Sequence, residues 1–269
     1  LNATVQINRT PITASGALKV NVNGKSRLWY VKLGDPVTRV RINVNAYGIP
    51  VQSRSYFMFG NNIAPPSGFL PETFNGLRAA GCSINSAMLG SATNAVKTGP
   101  GMAAGIEVSF RKSGSVNLGV ATIDWSASAG VETNLSLKRV AGNPCSGFTG
   151  YNRWYVQGNV AVYGAVSVVL KAKPWTVGGG TIKAPCCGNP LKSCFYKGCT
   201  YQLPKVCLHC CGSGCTFTLA QIKIGAYLAG GFPGPSWVTG SVAGKYNVLG
   251  GLIKGSFTAN FSQGTQCYP

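Results

Sequence analysis

The stretch from Ala17 to Ala46 reads ALKVNVNGKSRLWYVKLGDPVTRVRINVNA and decides the fold class. Over residues 18–23 apolar and polar residues alternate, which places every second side chain on the same face of a strand. Asn23-Gly24 is a typical two-residue hairpin turn, residues 27–33 return, and the alternation resumes over residues 40–46. The pattern predicts half-buried antiparallel strands with a cationic outer face.

The rest of the chain contains more segments of this kind. Strands are predicted over residues 106–110, 116–125, 131–140, 153–173, 217–228, 237–243, 246–253 and 256–261. Residues 60–104 are rich in Pro, Gly, Asn and small side chains, so they predict a long excursion with one helix near Leu77 to Val96. About ten to twelve short strands indicate an all-β protein, either an antiparallel β-sandwich or a barrel-like stack, with a disulfide-rich loop insertion.

Three regions follow from these patterns. We expect a β-rich domain over residues 1–175, with the loop and helix at 60–104 inside it. A cysteine-rich insertion is expected over residues 176–218. The strands over residues 219–269 are predicted to return to the same β core.

The insertion holds most of the cysteines. Eight of the eleven lie between residues 186 and 215: Cys186, Cys187, Cys194, Cys199, Cys207, Cys210, Cys211 and Cys215. Adjacent cysteines favour disulfides to different segments, because a bridge between neighbours is strained. Zinc or a redox site at Cys207-Leu208-His209-Cys210 are the alternatives, but no second CxxC pair is present. We therefore predict disulfide bonds and no metal site.

The remaining cysteines are Cys82, Cys145 and Cys267, and the odd total leaves at least one without an intrachain partner. Cys267 either reaches another chain or closes back on Cys82 or Cys145. The thiols, and a start at Leu1 without methionine, predict a secreted, extracellular protein. Candidate N-glycosylation sites are Asn2, Asn8, Asn134 and Asn260.

The charge is strongly unbalanced. Twenty-four basic residues face five acidic ones, a net charge of +19, and no carboxylate side chain occurs after Glu132. The candidate polyanion-binding residues are Lys138, Arg139, Arg153, Lys171, Lys173, Lys183, Lys192, Lys197, Lys205, Lys223, Lys245 and Lys254. Such a surface predicts an anionic partner, an acidic or sulfated glycan or a silica-type mineral. No RNP, KH, helix-turn-helix or zinc-finger pattern occurs, so nucleic acid is not expected.

Conventional catalysis lacks its parts in this sequence. The chain has one histidine, no GxSxG motif and no pair of carboxylates close in sequence. We predict no catalytic residue and no cofactor. An amine-rich surface that promotes condensation of a mineral precursor is the one catalytic idea that needs no such residues.

Three functions fit these observations. The first is a secreted, self-assembling structural protein of an extracellular matrix, filament or mineral scaffold. The second is a lectin-like module for acidic glycans. The third is a membrane-active β pore-forming protein, because glycine-punctuated amphipathic strands such as Val156 to Leu170 suit insertion into a bilayer.

Overall fold

The computed structural model describes residues 2–9, 12–23, 28–36, 38–61, 68–84, 100–119, 121–139, 153–172, 176–177, 180–181, 215–232 and 236–265. Over these residues the protein is nearly all antiparallel β-structure, with one α-helix of ten residues. The all-β prediction is confirmed.

Eleven strands form one sheet. Their bounds are β1 Asn2–Arg9, β2 Ile12–Asn23, β3 Leu28–Leu33, β4 Val40–Ala46, β5 Ile49–Gly60, β6 Gly101–Asn117, β7 Ala121–Arg139, β8 Trp154–Ala172, β11 Cys215–Phe232, β12 Trp237–Val248 and β13 Ile253–Gly264. A separate two-stranded ladder joins β9 Thr176–Val177 to β10 Gly180–Thr181. One 3₁₀ turn, Leu249–Gly251, lies between β12 and β13.

The order along the sheet is β1-β2-β3-β5-β6-β7-β8-β11-β12-β13. β4 pairs with Ile12 to Ser15 of β2, whereas β3 pairs with Leu18 to Asn23 of the same strand. β3 and β4 therefore lie end to end in one strand position between β2 and β5, so the eleven strands occupy ten positions. Residues 34–39 connect the two halves.

This sheet differs from the sandwich, which was one of the two predicted architectures. The described residues form one main sheet rather than two packed ones, and β7 and β8 reach 19 residues each. The expected strand over residues 116–125 is wrong, because β6 ends at Asn117 and β7 begins at Ala121. The Asn117 side chain accepts a hydrogen bond from the backbone N–H of Gly119, whose φ of 84° suits the tight turn.

The helix α1 spans Pro71–Ala80, so the prediction of residues 77–96 placed it too far towards the C-terminus. Pro71 is well suited to the first turn, where its missing N–H costs nothing. Gly81 ends the helix in the left-handed region, and its N–H donates to the carbonyls of Leu77 and Arg78. Leu77 is fully buried and packs in a cluster with Phe69, Cys82 and Trp237.

α1 packs on β7, β8, β11 and β12 and defines the two faces of the sheet. We call the face that carries α1 the inner face and the opposite face the outer face. One register row on the inner face contains Arg54, Glu107, Glu132, Ala161, Tyr227, Ser241 and Asn260. The neighbouring row on the outer face contains Ser53, Val108, Val131, Val162, Ala226, Val242 and Ala259.

The disulfide-rich insertion cannot be compared with the structure, because residues 182–214 lie outside the described residues, as do Cys145 and Cys267. Cys82 is described, and it is a buried free thiol. The expected alternative in which Cys267 closes back on Cys82 involves a residue outside the described part of the chain.

Packing of α1 on the sheet allows a first prediction. A Cβ added at Gly76 would lie 2.4 Å from Cγ of the Tyr163 ring. Gly76→Ala should therefore destabilise the protein, although alanine is favoured in helices by about 1 kcal/mol over glycine. Asn75→Ala, at the exposed neighbouring position, is the matched control and should be neutral or slightly stabilising. Thermal unfolding followed by circular dichroism measures both, and a gain in stability for Gly76→Ala would contradict this packing.

Candidate functional site

The outer face is apolar and exposed. Large hydrophobic side chains there include Leu135 at 53 % exposure, Val162 at 51 %, Ile224 at 55 % and Phe257 at 56 %. Monomeric soluble proteins rarely expose contiguous apolar patches larger than a few hundred square ångströms. An apolar face that crosses the whole sheet therefore indicates a contact surface.

The inner face has the opposite character. Glu107, Glu132, Asn134, Lys138 and Ser241 are all at most 2 % exposed. In β7 the contrast holds up to residue 138, before the exposed Arg139 at the end of the outer row: the inner positions 122–138 are Thr, Asp, Ser, Ser, Gly, Glu, Asn, Ser and Lys. The outer positions 121–137 are Ala, Ile, Trp, Ala, Ala, Val, Thr, Leu and Leu. The charged side chains of the strands thus lie mainly on the inner face, with α1, and the apolar side chains lie mainly on the opposite face.

The apolar face has a defined height. The registers align residues 51–60 of β5 with 101–110 of β6, 129–138 of β7 and 155–164 of β8. Ten residues extend about 34 Å along a strand, or roughly 24 Å across a layer when the strand is tilted by about 45°. In these four segments no outer position carries a charged side chain. We call this region the apolar band.

Aromatic residues flank the apolar band on the outer face. Trp29 and Trp154 lie at the end where β5 reaches Gly60 and β7 reaches Arg139. Trp125 and Tyr246 lie at or beyond the other end. Amphipathic rings favour this position at the boundary between an apolar layer and water.

Buried ion pairs hold the inner face together. The Arg39 side chain, in the connection between β3 and β4, donates to Glu132 Oε1 at 2.7 Å and to Asn134 Oδ1 at 3.2 Å. Tyr56 also donates to Asn134 Oδ1, and the other Glu132 oxygen accepts the N–H of Leu70 at the start of α1. Burial raises the pKa of Tyr56 to about 12, so its hydroxyl stays protonated as a donor.

A second pair fixes the other side of α1. Arg54 Nε lies 2.9 Å from Glu107 Oε2, and its guanidinium also contacts Glu72 on the helix. Burial alone lowers the pKa of Arg54, but its hydrogen bonds to Glu107 and Glu72 outweigh burial and raise it. Partial burial alone raises the pKa of Glu72, and its hydrogen bond to Arg54 reverses this and lowers it. Arg54 therefore links β5, β6 and α1 as a charged group.

A cavity of about 830 Å³ lies between α1 and strands β4, β5 and β6. Its polar lining includes Asn43, Gln52, Arg54, Glu72 and Arg111. Arg54 and Glu72 pair with each other, so Arg111 leaves this lining with one net positive charge.

The predicted cationic residues are distributed over the molecule. Lys223, Lys245 and Lys254 lie together on the inner face of β11, β12 and β13. Lys171 pairs with Asp124 at 2.7 Å, which lowers the pKa of Asp124, while Lys138 is buried. Arg139 and Arg153 are exposed at the ends of β7 and β8. Lys173, Lys183, Lys192, Lys197 and Lys205 lie outside the described residues.

Three of the glycosylation candidates, Asn2, Asn8 and Asn260, are exposed, whereas Asn134 is buried in the network around Arg39. Sequence reasoning missed Arg39, Arg54, Glu107 and Glu132 as interacting residues. The available signal was acidic residues at mid-strand positions that alternate with apolar ones. Among the described helices none is long and apolar enough to cross a membrane.

Comparison with protein-family models, with curated proteins and with solved structures finds no match to this chain.

Loss of the Arg39–Glu132 pair should strongly destabilise the fold. Glu132→Gln leaves a buried arginine without its counter-charge, which costs about 3–5 kcal/mol of unfolding free energy. The double variant Arg39→Met/Glu132→Leu should lose less unfolding free energy than the sum of the losses in Arg39→Met and Glu132→Leu. Urea unfolding measures these values, and additive losses would show that the two residues are not coupled. Asp124→Asn, which removes an exposed pair, is the control and should cost much less.

Lys138 should make stability depend on pH. Burial lowers its pKa in the folded protein to about 8, below the value of about 10.4 in an unfolded chain. The unfolded state therefore binds more protons between these values, and unfolding free energy should rise as pH increases from 7.5 to about 9.5. Lys138→Met should flatten that rise. A wild-type stability that is constant or falls over this range would contradict the assignment.

Proposed function

We propose that the outer face of the sheet contacts the hydrocarbon interior of a lipid bilayer and that the protein acts as a membrane-inserted β protein. The observation that supports this most is the inverted distribution of side chains: charged and amide groups are buried on the inner face, while Val, Ile, Leu and Phe are exposed on the outer one. Water is a poor solvent for the outer face and hydrocarbon is a good one.

The dimensions of the apolar band agree with this proposal. Strands that cross a bilayer need about 9–11 residues at a tilt of about 45°, and the aligned segments of β5 to β8 have ten. Removal of a Val, Leu, Ile or Phe side chain from water contributes about 1.5–3 kcal/mol. Outer side chains repeated over ten strand positions therefore supply a large driving force for insertion.

The proposal also places a requirement on the two sheet edges. Among the described residues β1 and β13 each pair on one side only. An unpaired backbone group in hydrocarbon costs several kcal/mol, so these edges must pair with each other or with a second copy. Pairing with a second copy would also account for the self-association predicted from the sequence.

The structural assembly protein is the second candidate, and the same two features favour it. Outer faces of two copies can bury each other, and open edges can add strands from neighbouring copies. In that case the apolar surface is covered by protein, with no lipid required, and polyanions would screen the charge of +19 and strengthen assembly.

Lipid quenching of tryptophan fluorescence separates the two candidates. Two variants each keep one tryptophan, the outer Trp154 or the inner, buried Trp237, with the others changed to phenylalanine. In phosphatidylcholine vesicles brominated near the headgroup, Trp154 should be strongly quenched and Trp237 weakly. Equal, weak quenching of both, together with lipid-independent aggregates, would favour the assembly protein and overturn the membrane proposal.

A depth-dependent charge effect is expected on the outer face. Val160 lies near the middle of the apolar band, and Val168 on the same face of β8 lies beyond it. Val160→Lys should lower the free energy of unfolding in vesicles by about 2–4 kcal/mol, whereas Val168→Lys should lower it by about 1 kcal/mol or less. Urea unfolding from phosphatidylcholine vesicles measures the difference. Equal effects at the two positions would show that no hydrocarbon layer covers Val160.

A further inference from the structure

A second concave region of the inner face is lined by basic and neutral polar side chains. It has a volume of about 510 Å³ and lies on β11, β12 and β13. Its polar lining consists of Gln221, Lys223, Lys245, Asn247, Lys254 and Ser256. We call it the lysine cavity. It is separate from the 830 Å³ cavity beside Arg54, with which it shares no lining residue.

The registers bring the three ammonium groups together. Lys223 lies directly opposite Lys245, and Lys254 is opposite Asn247, two residues further along β12. Side chains directly opposite have Cβ atoms about 5 Å apart and diagonal neighbours about 7–8 Å. Like charges directly opposite each other destabilise a sheet, so this arrangement is unfavourable unless something else compensates for it.

The chain has no carboxylate side chain left to compensate. Glu132 pairs with Arg39, and Glu72 and Glu107 both pair with Arg54. The other two of the five acidic residues do not line the lysine cavity: Asp124 pairs with Lys171, and Asp35 accepts the N–H of Thr38 at 2.6 Å.

One feature of the protein offsets part of this repulsion. The stem of Lys245 passes the C-terminal end of α1, where a Cβ on Gly81 would lie 2.8 Å from its Cε and 3.3 Å from its Nζ. The negative end of the helix dipole favours one cation at this position. The dipole acts only within the last turn of the helix, and no acidic side chain in the described part of the chain pairs with Lys223 or Lys254.

We propose that the lysine cavity binds the phosphate or sulfate ester of a small molecule or lipid headgroup. With Lys245 at the negative end of the helix dipole, the two remaining ammonium groups, those of Lys223 and Lys254, match a dianionic phosphate monoester in charge. The Ser256 hydroxyl and the carboxamides of Gln221 and Asn247 supply further neutral donors. A volume of 510 Å³ falls within the range of about 300–1,000 Å³ typical of small-ligand sites. The bound ligand would then serve as the counter-ion of the lysines in this cavity.

Titration calorimetry of the full chain in neutral detergent tests this site with two probes. Inorganic pyrophosphate represents a soluble phosphate, and micelles doped with phosphatidic acid represent a headgroup. Binding of pyrophosphate with no preference for phosphatidic acid assigns a soluble ligand, and binding of phosphatidic acid alone assigns a lipid. In either case the affinity should fall as sodium chloride increases, because the contact is between charges.

A charge-matched pair of variants makes the test specific. Lys223→Gln/Lys245→Gln/Lys254→Gln should weaken binding at least tenfold and leave thermal stability equal or higher, because the repulsion is relieved. Lys19→Gln/Lys32→Gln/Lys112→Gln removes the same charge elsewhere on the sheet and should change affinity less than twofold. No binding of either probe, or an equal loss in both triple variants, would overturn the site. Neither result depends on whether the outer face contacts lipid, so this experiment tests the lysine cavity independently of the membrane proposal.

Discussion

The buried ion pair between Arg39 and Glu132 constrains the whole sheet. Arg39 lies in the connection between β3 and β4, which share one strand position, and Glu132 lies in β7, three positions away. Neighbouring strands are about 4.8 Å apart, so the two strand positions are separated by roughly 14 Å along the sheet, close to the combined length of the two extended side chains. The observed 2.7 Å contact forms because Arg39 lies in the connection between β3 and β4 and its side chain extends across the inner face to β7.

The same pair explains why α1 lies where it does. Glu132 uses one oxygen for Arg39 and the other for the N–H of Leu70, so the start of the helix is tied to the centre of the sheet. Arg54 adds a second connection through Glu72. A buried charge is tolerated only with its partner, and each partner here belongs to a different element. The charged interior therefore specifies the arrangement of β5, β6, β7 and α1.

The strands could be predicted from the sequence, but the side of the sheet that faces outward could not. Alternation at residues 40–46 or 121–139 shows that two faces differ, and it is the same whether the apolar face lies against a protein core or against an apolar solvent. Only the position of α1 shows which face is which, and α1 itself was predicted too far towards the C-terminus. Its limits at Pro71 and Gly81 are local signals, whereas the predicted helix followed the apolar residues from Leu77 onward. The contacts of Arg39 and Arg54 join residues up to 95 positions apart, and no local pattern encodes them.

The alternation in β7 has a consequence for the nascent chain. Because every second residue of that strand is polar, no apolar run forms along it, and the mean hydropathy of the chain is only +0.14. The apolar surface comes into existence when neighbouring strands align their outer rows. Before folding, the polypeptide is compatible with water and lacks the continuous apolar segment by which a translocon diverts a helix into the lipid phase. The apolar surface of this protein is thus a product of tertiary structure and not of any continuous apolar segment of the sequence.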